Sequence, residues 1–385
     1  MAEIKGFDKN QIPMAIASVL VVVAAMMAIL LFGENTGPSV KPQDEVTEPQ
    51  TSEQTEPVSE SDTTKEAVSE STTLPITETT APTTTTTQAM QYSVQSSIIL
   101  QGDRAMEIYG VAQNSLKSYA TVISDFAKRV PKANVYVLLA PTSIEFYGPE
   151  SYRTGSRSQA KGIGIAYGAL TGENVKSVDA LSEIQKHTSE YVYFRTDHHW
   201  TARGAYHAYT AFCKTAGLTP TKLEDHKTGR IDGFVGTMYT YTSAQVLADN
   251  PDYVEYFYPL SEATGMIYTD ATMANGRSMR IITETVSNRN KYLAFLEGDN
   301  PLEKITTSNK NGKKIAIVKE SYGNAFAPFL IDHYEEIYVI DPRKVDMDLK
   351  SFVFEQGITD ILFINYPFVP SNPTYRNAFD KMLAV

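Results

Sequence analysis

The chain has 385 residues, a formal net charge of -11 and a single cysteine, Cys213. One thiol excludes an internal disulfide, so the folded part must rest on an apolar core, for which the length is ample. The acidic balance speaks against a nucleic-acid partner, although most of the excess sits in one low-complexity stretch.

Residues 1–12 precede an uncharged apolar run, Pro13 to Phe32 (PMAIASVLVVVAAMMAILLF). At ~1.5 Å per residue, a helix of about 20 residues crosses a hydrocarbon core ~30 Å thick. A cleaved signal peptide has a shorter apolar core and a small-x-small cleavage site, whereas this run ends in Leu30-Leu31-Phe32-Gly33. The run therefore reads as an uncleaved single-pass membrane anchor. Lys5 and Lys9 before it, against the isolated Lys41 after it, put the N-terminus in the cytoplasm and the bulk of the chain outside.

Residues 33–90 are rich in Thr, Ser, Pro and Glu and poor in aromatics, and include the run Pro82-Thr83-Thr84-Thr85-Thr86-Thr87. Such a tract cannot bury enough apolar surface to offset its ordering entropy, so it is expected to be a disordered spacer, with a composition that also permits O-glycosylation.

The globular part is expected over 91–385. A strand is predicted at Val94 to Leu100, and a helix at Ala112 to Val130, where Leu116, Tyr119, Ile123 and Phe126 recur at helical spacing. Asn134 to Leu139 reads as a buried strand. Helices follow at Ser158 to Leu170 and Val178 to His187, then a strand at Tyr191 to Phe194, then a helix capped by Thr201 and running to about Thr215. Residues 224–310, rich in Tyr, Thr, Asn and Gly, suggest hairpins and substrate-facing loops. Lys314 to Val318, Glu336 to Ile340 and Asp360 to Ile364 are short apolar runs separated by helical patterns, the mark of a parallel sheet covered on both faces. Sites in such sheets lie at the C-terminal strand ends.

Two segments combine reactive side chains with that location. The first is Arg195-Thr196-Asp197-His198-His199-Trp200-Thr201. On an extended segment, side chains two apart share a face, which would pair Asp197 with His199 and send His198 the other way. A carboxylate beside an imidazole orients it and stabilises its protonated form. The alternatives are a turn whose polar groups satisfy one another, with Asp197 capping the next helix, and a metal site of Asp197, His198, His199 and His207. No zinc-type spacing accompanies these residues, and no metal is expected.

The second is Lys319-Glu320-Ser321-Tyr322-Gly323-Asn324, where a strand gives way to a helix. Backbone N–H groups at that junction, including those of Gly323 and Asn324, can hold an oxyanion, and Gly323 would let a substrate approach. A serine alone there is most simply a helix cap, but the first segment offers it a base. Asn365 is a second possible oxyanion donor, Arg195 and Arg343 possible contacts for an anionic group, and Trp200 and Tyr322 possible walls for a sugar. His187, His226 and His333 have no comparable context.

Thr196-Asp197-His198-His199-Trp200-Thr201 together with Glu320-Ser321-Tyr322-Gly323-Asn324 resembles the DHHW family of bacterial envelope proteins. That family is similar to the SGNH-like acetyltransferase domains of alginate O-acetylation proteins, whose D-x-H-W-T and later G-A are matched by Asp197, His199, Trp200, Thr201, Gly204 and Ala205. The resemblance implies an α/β, SGNH-hydrolase-like three-layer sandwich with a parallel central sheet, permuted so that Asp197 and His199 precede the nucleophile Ser321. It gives His198 no catalytic role, because relatives vary at that position. It also implies an extracytoplasmic O-acetyltransferase without a cofactor. The acceptor would be an envelope polysaccharide, and the acetyl group would come by way of a membrane-bound O-acyltransferase. The same triad with water as acceptor would make an esterase, and the fold without catalysis a polysaccharide-binding or assembly protein.

Overall fold

The computed structural model describes residues 91–384. The expected anchor at Pro13 to Phe32 and the spacer lie outside the described residues, and among the described residues no helix is long and apolar enough to cross a membrane.

The chain enters through a small antiparallel sheet of β1 (Ser93–Gln95), β2 (Ile98–Gln101) and β3 (Arg104–Glu107). The single strand expected over Val94 to Leu100 is thus a hairpin, with Gln95 opposite Ile98 and the two turn residues, Ser96 and Ser97, at φ 49° and 65°. A two-residue turn with both φ values positive matches strand twist, but Ser-Ser lacks the Asn-Gly or Asp-Gly signature that announces one.

Helix α1 (Gln113–Arg129) leads into β4 (Asn134–Leu139), and α2 (Gln159–Gly168), capped by Ser158, precedes β5 (Val175–Ser177). Next come α3 (Ala180–Gln185) and α4 (Ala202–Ala216). β6 (Thr228–Phe234) and β7 (Asp252–Phe257) form a separate hairpin around α5 (Thr237–Thr242). β8 (Ala263–Tyr268), β9 (Gly276–Met279) and β10 (Leu302–Thr307) follow, then β11 (Lys314–Lys319), α6 (Tyr322–Phe326), β12 (Glu336–Ile340), α7 (Leu349–Gln356), β13 (Asp360–Asn365) and α8 (Pro373–Ala384).

The main sheet has eight strands in the order β5-β4-β13-β11-β12-β10-β8-β9. Its first five strands are parallel, whereas β10, β8 and β9 add on antiparallel, so the sheet is mixed rather than wholly parallel. Successive residues of the central strands feed two separate cores. Tyr136, Leu138, Ile315 and Ile317 pack on one face with Ala205, Ala208, Tyr209 and Phe212 of α4. Val135, Val137, Ala316 and Val318 pack on the other with Leu116, Ile123 and Phe126 of α1, Phe352 of α7 and Phe379 of α8. Coverage on both faces is why these strands read as unbroken apolar runs, each fully buried large side chain contributing about 1.5–3 kcal/mol.

The expected strand at Tyr191 to Phe194 does not join a sheet. Tyr193 makes only an isolated antiparallel bridge to Trp200, so the segment between them is a bent loop.

Candidate active site

In the parallel half of the sheet, β11 and β13 run in register with Lys319 beside Ile364, and β13 with β4 places Asn365 beside Leu139. The chain leaves β11 through Glu320 and turns at Ser321, which sits at the N-terminal edge of α6 with φ -56° and ψ -21°. The loop between Tyr193 and Trp200 meets this turn from the other side. Its ends are fixed by the Tyr193–Trp200 bridge, by Thr201 N–H donating to Val192 O at 3.0 Å, and by Thr201 Oγ1 accepting from Gly204 N–H at 3.3 Å as the cap of α4. Gly204 is required there, because a Cβ would lie 2.2 Å from Val192 O.

Two hydrogen bonds tie the loop and the turn together, and a third holds the turn from Tyr292. Trp200 Nε1 donates to Tyr322 O at 3.0 Å, Tyr322 Oη donates to His198 O, and Tyr292 Oη donates to Ser321 O at 3.2 Å. Held this way, His199 Nε2 lies 2.7 Å from Ser321 Oγ and His199 Nδ1 lies 2.6 Å from Asp197 Oδ1. Asp197 Oδ1 also accepts the His199 N–H at 3.0 Å, and Oδ2 accepts from Thr237 N–H at 2.8 Å and Thr237 Oγ1 at 2.9 Å. Burial disfavours the Asp197 charge, but facing His199 and His198 and the Thr237 N–H hold its carboxyl well below the usual carboxylate range. An ionised Asp197 accepts from Nδ1, leaving Nε2 of a neutral His199 to accept the Ser321 proton. The arrangement is chemically a nucleophile, a base and an orienter in line.

His198 does not point away as an extended segment would require. Its ring lies 3.8 Å from that of His199, and its Nδ1 is 2.7 Å from Thr237 Oγ1. The loop is bent, with the Asp197 carboxylate folded back onto its own backbone two residues on, so the alternation of a strand does not apply.

Several expected contacts have other occupations. Trp200 and Tyr322 are fully buried, which removes both as sugar-facing walls and makes them ties between the two segments. Asn365 is fully buried, with Nδ2 donating to Tyr375 Oη at 2.7 Å and Oδ1 accepting from Tyr119 Oη at 2.8 Å, so it ties core elements together rather than facing a ligand. The Gly323 N–H donates to Glu320 O at 2.9 Å and the Asn324 N–H to Ser321 O at 3.1 Å, closing the turn rather than facing a ligand. Gly323 makes room for Lys319, whose Cβ would lie 2.6 Å from an added Cβ. Asn324 Nδ2 and Arg343 both bond Asp299, at 3.0 and 2.7 Å, beneath the turn, together with the buried Lys319 at 2.8 Å. Arg195 is an ion-pair anchor, bonded to Asp103 and, at 3.1 Å, to Asp252.

Other residues matter that carried no legible signal. The Tyr292 ring stacks on the His199 imidazole at 4.0 Å and 11°, restricting its rotation. Glu320 Oε2 accepts from Tyr322 N–H at 3.0 Å and lies 3.3 Å from Ser321 Oγ, while Oε1 accepts from Tyr366 N–H at 3.0 Å. Burial pushes Glu320 up to about 7 in spite of those N–H donors. Thr237 and Tyr292 come from the irregular 224–310 region, where no periodicity marks individual residues. Glu320 could have been flagged by its place next to the serine.

Among the described residues, two groups bring metal-binding side chains together. In Asp197, His198 and His199 the carboxylate oxygens, both Nδ1 atoms and His199 Nε2 are already committed to one another, to Thr237 and to Ser321. In His187, Glu190 and His207 the two imidazoles stack in parallel at 3.6 Å and 8°, and each bonds one Glu190 oxygen, at 2.8 and 3.2 Å. Parallel rings aim their lone pairs side by side rather than at one point, which suits a hydrogen-bonded staple between the segment after α3 and α4 better than a chelate.

The family model described as DHHW protein matches residues 44–340, and the chain belongs to the DHHW family. A crystal structure of a DHHW family protein from Eubacterium siraeum is similar at 33% identity and a TM-score of 0.67, covering 74% of this chain and 97% of that one. Bacillus cereus PatB1, solved with a sulfonyl adduct, matches at 16% identity and a TM-score of 0.56 over 74% of this chain and 97% of that one, a likeness of fold. The O-acetyltransferase domain of Pseudomonas putida AlgJ is a more distant match, with a TM-score of 0.38 and 12% identity over 71% of this chain and 90% of that chain. No curated protein matches.

Proposed function

We propose that this DHHW protein is an SGNH-like serine acyltransferase, with the order of its motifs permuted, that acts outside the cell on an envelope polysaccharide. The observation that carries the reading is the line from Asp197 Oδ1 through His199 to Ser321 Oγ, at 2.6 and 2.7 Å. His199 takes the Oγ proton as Oγ bonds to the acyl carbon, and that proton then goes to the leaving group of the donor. In the second half, an acceptor hydroxyl gives its proton to His199 and attacks the acyl carbon; Ser321 Oγ leaves and is reprotonated. Gly323 and Asn324 are occupied, which leaves the Ser321 N–H, for which no described acceptor exists, to face the oxyanion.

The membrane anchor at Pro13 to Phe32 and the spacer would place the catalytic part at the cell surface, where a membrane-bound O-acyltransferase could supply acetyl groups. The full-length protein in detergent, given p-nitrophenyl acetate and a fluorophosphonate or sulfonyl fluoride, should turn over the ester and be labelled on Ser321. Ser321→Ala should lower turnover at least 10³-fold, about 4 kcal/mol of transition-state stabilisation, and abolish labelling. Unlabelled wild type with no turnover would refute the acyl-serine reading. Acetylated sugar as product selects a transferase, and free acetate alone an esterase.

A further inference from the structure

In the loop Asp197-His198-His199-Trp200, the first, third and fourth residues have evident tasks, and His198 does not. Proton counting defines its state. Thr237 Oγ1 donates its only proton to Asp197 Oδ2 at 2.9 Å, because an ionised carboxylate can only accept. The 2.7 Å contact between Thr237 Oγ1 and His198 Nδ1 must then be an Nδ1–H donating to oxygen. Burial and the neighbouring His199 imidazole both lower the proton affinity of His198, which makes the ring neutral with an unprotonated Nε2.

That nitrogen has no hydrogen-bond donor among the described residues. The His198 side chain is 18% exposed, so it borders the site without being sealed. Its ring lies 3.8 Å from the His199 ring and within 6.4 Å of the half-buried Tyr366 ring. A second unpaired group belongs to the same neighbourhood. Glu107, on β3, is electrostatically coupled to His198, Asp197 and Glu320, and its Oε2 is buried with no partner. An acceptor nitrogen without a protein partner at the edge of the site is free to take a hydrogen bond from a ligand.

We propose that His198, through Nε2, is the acceptor subsite: it takes a hydrogen bond from the hydroxyl of an incoming alcohol, a sugar hydroxyl on the reading above, and holds that oxygen beside acyl-Ser321. The inference rests on the acyl-serine reading. His199 remains the base for both half-reactions, and His198 binds the nucleophile of the second. The Thr237 bond fixes its tautomer, and Thr237 in turn donates to the Asp197 carboxylate that orients His199.

The test is the partition of the acyl-enzyme in the full-length protein. Donor is p-nitrophenyl acetate, and acceptors are glycerol and cello-, xylo- and chito-oligosaccharides, with acetate and acetylated alcohol both quantified. His198→Asn keeps an N–H for Thr237 and removes the Nε2 acceptor. The readout is the ratio of acetylated alcohol to free acetate, which does not depend on how fast Ser321 is acylated. Transfer to alcohol should fall at least tenfold, with acetate taking its place. His198→Gln, which returns an acceptor oxygen near the Nε2 position, should recover part of the transfer.

Equal loss of labelling and transfer in His198→Asn would overturn the subsite and make His198 a support for His199. Transfer by His198→Asn at the wild-type level would overturn it too, as would a wild type that is labelled yet transfers to none of these alcohols. A wild type never labelled on Ser321 would sink the acyl-serine reading as well, so the two failures are distinguishable.

Discussion

Glu320 lies next to Ser321 in the chain and 3.3 Å from its Oγ, yet its carboxyl is buried and raised from 4.5 to about 7. A carboxyl whose folded value exceeds its unfolded value contributes stability that is fully present below about pH 4.5 and is lost as pH rises through about 7. Glu320→Gln removes the buried charge, so the variant should gain on wild type as pH rises. Thermal unfolding from pH 4.5 to 8.5 should show near-equal midpoints at the acid end. At the alkaline end the variant should lead, by at most on the order of 3 kcal/mol for the whole shift. Equal pH profiles would mean that Glu320 ionises without cost. Asp197 has the opposite sign: its depressed value contributes stability present above the usual carboxylate range and lost in acid. At this scale the sequence was partly legible. Asp197, His199 and Ser321 stood out because strand ends, turn residues and reactive types coincided, whereas Tyr292 and Thr237 act through a stack and a hydrogen bond that leave no pattern in the chain.

The element that sets the triad is the bent loop from Tyr193 to Trp200, supported by the start of α5. Gly236 precedes α5, and a Cβ there would lie 2.3 Å from Asp197 Cβ and 2.5 Å from its Oδ2. Its φ of -87° is open to any residue, so space rather than conformation demands glycine. Gly236→Ala should displace the carboxylate from His199 and lower Ser321 labelling and ester turnover at least 10²-fold, since about an ångström of misplacement has that effect. Gly164, exposed within α2 with nothing near its added Cβ, is the control. Gly164→Ala should leave activity unchanged and raise stability by about 0.5–1 kcal/mol, read as an unfolding midpoint. Elements whose signal is continuous apolarity or helical spacing were legible within one or two residues, as in β4 at Asn134–Leu139, β12 at Glu336–Ile340 and α1 at Gln113–Arg129. The loop was read as a strand because its alternation of Tyr, Val and Phe is also what a short buried loop between two layers requires.

For the whole molecule, the strand order has a consequence that the chain order hides. β13, near the C-terminus, lies between β4 and β11 at the middle of the parallel half, contributing Ile361, Phe363, Leu362 and Ile364 to the two cores. The family match ends at residue 340, before this strand. A chain stopped after Ile340 should therefore fail to fold, exposing the edges of β4 and β11 and aggregating, whereas a fragment of residues 91–385 should unfold in one cooperative transition. Circular dichroism and sedimentation of the two fragments decide this, and a folded, soluble 91–340 fragment would contradict the topology.

The sequence by itself determined which stretches are covered on both faces, where the helices begin, and that Asp197, His199 and Ser321 belong at strand and helix ends, because burial and capping leave local marks. Only the tertiary structure decided that Trp200, Tyr322 and Asn365 are internal ties rather than ligand contacts, and that β10, β8 and β9 extend the sheet antiparallel. It also decided that His198 lies beside His199 instead of opposite it. The ties of Trp200, Tyr322 and Asn365 join residues more than a hundred positions apart, and the antiparallel pairings and the His198–Thr237 bond join residues more distant than any local period reaches.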